Sequence, residues 1–183
     1  MKTDDEILNI PIDEVKEVVK LDGIEFIQTD SRIKKKLNNA RSDANVDGVH
    51  NGTSLSHPYK GDGVIIGVID FGFDYTHPQF WDSQSSTLRI SRVWNMPDNS
   101  GSPPAGFSYG TEIVGATNIY NAGASSSTGS HGTHVAGIAG GSGLATSGNY
   151  VGVAPNAELV FCHLGGGESG VVDAINYIFT YAA

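Results

Sequence analysis

The 183-residue sequence predicts an α/β chain with a mainly parallel sheet flanked by helices, preceded by a short N-terminal α/β arm. Three observations predict it. Gly63-Val64-Ile65-Ile66-Gly67-Val68-Ile69-Asp70 is apolar on both faces, the pattern of a buried parallel strand rather than a half-solvated one. Glu158-Leu159-Val160-Phe161-Cys162 is a second run of that kind, led in by Tyr150-Val151-Gly152-Val153-Ala154-Pro155. Helical patterns follow each strand: a thin one from Thr133 to Ala139, and one carried by Val171, Val172, Ile175, Ile178 and Phe179.

Composition narrows the function classes. A chain of this length is expected to be one domain with a real core, and 39% hydrophobic with 17% charged residues is a globular balance. A formal charge of −9 argues against nucleic-acid binding, which needs a basic face. The apolar runs are far shorter than a membrane span. Met1-Lys2-Thr3-Asp4-Asp5-Glu6 is acidic and lacks the basic-then-apolar order of a signal peptide, so the location stays open. One cysteine, Cys162, excludes an internal disulfide.

In chain order, residues 1–45 read as an arm. Ile12, Val15, Val18 and Val19 recur at helical spacing up to Lys20, Gly23 breaks the pattern, and Gly23-Ile24-Glu25-Phe26-Ile27 reads as a short strand. Ser31 to Arg41 is a basic run, read as a solvated linker or helix face. Asn45 to Gly63 is turn-rich and forms the boundary to a body of residues 46–183. Residues of about 81–128 read as a loop-rich insertion around Asn99-Ser100-Gly101-Ser102-Pro103-Pro104. Its Trp81, Trp94, Phe107, Tyr109 and Tyr120 are expected to pin it to the body. Gly165 to Gly170 reads as a flexible loop, and the last helical pattern runs off the C-terminus without a capping signal.

The chemistry centres on Ser130-His131-Gly132-Thr133-His134-Val135-Ala136-Gly137, where two histidines stand among small residues. His131 falls at a helix start, where the partial positive charge of the N-terminus disfavours a further positive charge. That is a suitable setting for a general base. Asp70 ends the strongest strand, where open α/β sheets place their sites; on local pattern alone it equally starts a turn. Gly61-Asp62-Gly63 precedes its strand and so is no dinucleotide fingerprint. Asp70-Phe71-Gly72 lacks the companions of the kinase magnesium triplet. His131 and His134 lack a third ligand for zinc. Asn51-Gly52-Thr53 is a glycosylation sequon, relevant only in a eukaryotic secretory pathway.

Jointly, Val68-Ile69-Asp70-Phe71-Gly72-Phe73-Asp74-Tyr75-Thr76-His77-Pro78-Gln79-Phe80 and Ser130 to Gly137 resemble the aspartate and histidine motifs of the subtilisin-like serine proteases, the subtilase (peptidase S8) family. Gly152-Val153-Ala154-Pro155 before an apolar strand is similar to that family's next landmark, and the resemblance covers roughly residues 58–183. It implies a subtilisin-like fold, incomplete here, and a serine endopeptidase acting on protein or peptide substrates. Asp70 would orient and stabilise the His131 imidazole, and His131 would take the proton of a serine and return it to the leaving amine. Ser169 and Gly170 would lie near the edge strand that pairs with substrate backbone. The arm over residues 5–30 resembles the tail of an inhibitory propeptide, and export to the surface or medium is the family's usual fate.

The departures matter as much. Phe71 replaces a small hydroxyl residue beside the aspartate. Gln79 stands where calcium-binding members carry an aspartate ligand, so calcium is doubtful there and no cofactor is expected. The sequence separation of 61 from Asp70 to His131 exceeds the simplest family spacing. The Gly-Thr-Ser serine motif and the oxyanion asparagine are expected beyond residue 183. Gly52-Thr53-Ser54-Leu55-Ser56-His57-Pro58 resembles that motif as a string but precedes Asp70 and lacks a following apolar helix. The chain therefore reads as the N-terminal part of such an enzyme, inactive alone, with an open sheet edge expected to self-associate. A pseudoprotease, or peptide-binding module on the same scaffold, is the alternative.

Overall fold

A computed structural model describes residues 11, 14–18, 20–21, 37–125, 130–165 and 167–183. The chain divides into two compact units, Met1–Lys35 and Lys36–Ala183. In the first, helix α1 (Val15–Val18) takes up part of the expected helical pattern, and Lys20 reaches back to Glu17 at 2.7 Å. The strand expected at Gly23–Ile27 and most of the propeptide-like stretch lie outside the described residues.

The second unit opens with two short helices, α2 (Leu37–Asp43) and α3 (Val46–His50). The basic run therefore ends in a helix: Arg41 pairs with Asp47 at 2.6 Å and donates to the carbonyl of Val151 at 3.1 Å. A four-stranded sheet follows in the order β1-β4-β2-β3. β1 (Ile65–Asp70) and β2 (Ile90–Asn95) both run parallel to β4 (Glu158–His163), while β3 (Thr111–Val114) is antiparallel to β2. The α/β class and the mainly parallel sheet are as the sequence predicts. β4 is the buried centre, whereas β1 is only half-buried because among the described residues it is paired on one side.

The stretch expected to be a loop-rich insertion is instead structural. It supplies β2, β3 and α4 (Ala116–Ala122). Ser91 and Arg92 interrupt the apolar run of β2, and the ladder to β4 shifts register between Ile90 and Arg92. Arg92 keeps its head outside, paired with Glu112 at 2.8 Å and 4.6 Å from the Tyr181 ring centroid. Trp94 stacks among Phe107, Tyr109 and Tyr177 at centroid distances of 4.5, 5.3 and 5.3 Å, so those aromatics do pin the segment to the body.

Strand alternation sorts the core into two layers. Ile66, Val68, Leu159, Phe161, Ile90 and Val93 face one side, where α5 (His131–Gly140) lies with Ala136 and Val135 packed into the cluster. Phe161 is central there, stacked on Phe73 at 4.6 Å and edge-on to Phe80 at 5.1 Å. Val160, Cys162, Trp94 and Met96 face the other side against Ala174 and Tyr177 of α6 (Glu168–Ala182). α6 leaves Val172, Ile175 and Phe179 exposed. Half-buried Arg89 closes the far end of α5, donating to the carbonyls of Gly140 at 2.5 Å, Gln79 at 2.8 Å, Ala157 at 2.9 Å and Trp81 at 3.3 Å.

Candidate active site

The ends of the three parallel strands fall into one row. In the ladders Asp70 lies opposite His163, and His163 opposite Asn95. All three follow the alternation of Val68, Phe161 and Val93, so they project to the side that holds α5. The row sits at the C-terminal end of a parallel sheet, where α/β folds place their sites.

Helix α5 begins at His131 itself, two residues before the start expected from the pattern. Its first turn is tied to the segment after β1 by main-chain bonds: Gly132 N–H donates to Phe71 O at 2.9 Å, and Thr133 N–H to Gly72 O at 3.2 Å. Thr133 Oγ1 also accepts from Asp74 N–H at 2.8 Å. Gly132 is required for this approach, because a Cβ there would stand 2.7 Å from the Phe73 ring. The small residues that flank His131 thus let the helix start settle onto the loop that follows Asp70.

The result is a carboxylate–imidazole pair. His131 Nδ1 lies 2.7 Å from Asp70 Oδ1 and 2.9 Å from Oδ2, and Oδ1 also accepts from Phe71 N–H at 2.6 Å. A neutral ring facing a carboxylate through Nδ1 carries its proton there and turns the Nε2 lone pair outward. The Asp70 side chain is only 12% exposed and the His131 side chain 75%. The carboxylate is largely enclosed and the imidazole is open to solvent, an arrangement with the geometry of the acid and imidazole of the Ser-His-Asp template.

The other expected site residues are placed differently. Ser169 and Gly170 lie in the first turn of α6, in a shallow depression lined also by Met96, Pro97, Tyr109 and Gly165. They stand at a helix start, beside any edge strand that a substrate would pair with and not within one. The expected loop is short because α6 starts at Glu168, directly after Gly167. His134 is exposed one turn along α5, and among the described residues no group of three or more His, Cys, Asp or Glu could hold a metal. Ser54 sits in a left-handed turn between α3 and β1, and no hydrogen bond joins it to His131 or Asp70. Burial pushes the Cys162 thiol up to about 12, which leaves it a thiol rather than a nucleophilic thiolate.

A model of the subtilase family matches residues 61–179. The chain belongs to the subtilases. A PII-type proteinase of Lactococcus lactis subsp. cremoris and one of Lacticaseibacillus paracasei are each 33% identical to this subtilase over 132 residues, 66% of the chain and 6% of the relative. The chain therefore spans about 6% of the length of the relatives it matches. The Clostridium perfringens CspB protease shares the fold, with a TM-score of 0.55 at 21% identity over 76% of this chain and 31% of that one.

Within this subtilase, Gln79 carries the position at which a cation ligand was in question. Its Oε1 accepts from Gly143 N–H at 2.5 Å and its Nε2 donates to Tyr150 O at 3.2 Å. The carboxamide bridges the two ends of the 143–150 loop. Both polar atoms of the carboxamide are thus engaged by the protein itself, one as acceptor and one as donor.

Sequence reasoning passed over His163, which is 8% exposed and accepts from Gly72 N–H through Nδ1 at 3.3 Å. Burial lowers its pKa below the ordinary imidazole value. The only signal in the sequence is a histidine one residue beyond the expected end of a buried strand. Phe71, 52% exposed, stands edge-on to it with ring centroids 6.4 Å apart.

Proposed function

We propose that this chain supplies the acid–base half of a serine endopeptidase. Asp70 orients the His131 ring and stabilises the imidazolium formed during reaction. His131 Nε2 takes the proton of a serine hydroxyl as that oxygen attacks a peptide carbonyl, and then gives it to the departing amine. The observation that carries this reading is the Nδ1–carboxylate contact at 2.7 Å beneath an exposed ring. This reading requires a serine and oxyanion donors that the Asp70 and His131 motifs do not themselves contain, and protein or peptide is its substrate class.

A serine-directed phosphonate probe tests the division of roles. The whole protein that carries this segment is expected to be labelled, and labelling to collapse in His131→Ala. The isolated chain is expected to stay unlabelled; covalent capture at Ser54 would overturn the assignment.

The 143–150 loop is held by the Gln79 carboxamide rather than by calcium. The isolated chain self-associates through the edge of β1 that is unpaired among the described residues and through the exposed Val172 and Phe179 of α6. A monodisperse monomer in light scattering would contradict that.

A further inference from the structure

We infer that His163 is a positioning residue for the Asp70–His131 pair, acting through the Gly72 amide. This rests on the reading of the pair given above. Asp70 is the last residue of β1, so its carboxylate is aimed by what the chain does next. Phe71 N–H turns back onto Asp70 Oδ1, and Gly72, with φ at 72°, reverses the chain. The carbonyls of Phe71 and Gly72 then receive the amides of Gly132 and Thr133, in the first turn of the helix that carries His131. One three-residue turn therefore sets both members of the pair.

What holds that turn from below is His163. It is the ladder partner of Asp70 on the central strand, and its Nδ1 accepts the Gly72 N–H. Only a ring with its proton on Nε2 can do this, because a protonated imidazole has no acceptor. Burial against the Phe71 ring favours the neutral ring, and the Gly72 amide on Nδ1 selects its Nε2–H tautomer. A hydrophobic residue would fill the same place in β4 but would leave a buried amide unpaired at the hinge of the turn. The requirement at this position is an acceptor at a fixed height above the sheet, a chemical demand that packing alone does not make.

The test reads ring tautomers by ¹⁵N NMR in this chain, at a pH where both rings are neutral. Wild-type His131 is expected as the Nδ1–H tautomer and wild-type His163 as the Nε2–H tautomer. His163→Asn, whose carboxamide oxygen can take the place of Nδ1, is expected to keep His131 in the Nδ1–H form. His163→Leu, of similar bulk without an acceptor, is expected to cut that Nδ1–H fraction at least twofold. Wild-type tautomer populations in the leucine variant would overturn the inference. If the leucine variant does not fold, the wild-type protein decides alone: a proton on His163 Nδ1 is incompatible with the Gly72 bond and overturns it. The readout is a proton position rather than turnover, so absence of peptidase activity in the whole protein would sink the functional reading and leave this test standing.

Discussion

A Cβ on Gly132 would stand 2.7 Å from Cε1 of Phe73, so the start of α5 rests on an aromatic ring with no room for a methyl. Phe73 cannot yield, being fully buried and stacked on Phe161. Gly132→Ala should lower stability by about 1–3 kcal/mol, the usual cost of overpacking. Alanine in a helix is ordinarily favoured over glycine by roughly 1 kcal/mol, so the sign is diagnostic. Gly137, in the same helix, has open space at its Cβ position. Gly137→Ala should raise stability by about 0.5–1 kcal/mol. Urea denaturation of the two variants checks the contrast; equal gains would contradict the close approach.

Arg89 gathers four carbonyls from Gly140, Gln79, Ala157 and Trp81. Burial lowers its guanidinium to about 10, which still leaves it charged at neutral pH. Arg89→Met keeps the stem and strands the carbonyls. A loss of roughly 3 kcal/mol or more is expected, a fall in Tm on the order of 6–12 °C. A shift of a degree or two in calorimetry would show that water replaces the guanidinium.

If the Gln79 bridge, rather than calcium, holds the 143–150 loop as proposed, chelator should leave the Tm unchanged, and added calcium should not raise it. Gln79→Leu removes both bonds to Gly143 and Tyr150, and should cost about 1–3 kcal/mol with faster proteolysis within the loop. A Tm that drops on chelation would refute the assignment.

His163 makes stability pH-dependent with a defined sign. Its folded-state pKa is lowered by burial from 6.5, so as the pH falls the unfolded chain takes up the proton first. The stability associated with the neutral ring is complete above about pH 6.5 and is lost progressively below it. Between about pH 7.5 and pH 5 the wild-type urea midpoint should fall further than that of His163→Asn, which has no imidazole there. Parallel losses in the two proteins would show that His163 does not titrate differently on folding.

The legible part of the site was the part encoded locally. Asp70 closes an apolar run at the end the pattern gives it, and His131 opens a helix of small residues that starts two positions before the pattern places it. β2 was not legible because Ser91 and Arg92 interrupt it, and its burial comes from pairing with β4 across the chain. The start of α6 was not legible because a glycine-rich run reads as loop up to Gly170, although the helix begins within it at Glu168. His163 was missed for a different reason. Its partner Gly72 is 91 residues away, and the ladder register alone brings them together.

The central claim is that His131, oriented by Asp70, is the base for peptide hydrolysis. The most direct measurement is kcat for peptide hydrolysis by the whole protein that carries this segment, compared with its His131→Ala variant at equal folded concentration. A loss of roughly 10⁴-fold or more is expected, with KM little changed. A variant that retains kcat within about tenfold of wild type would contradict the account, because an enzyme does not keep its rate without its general base.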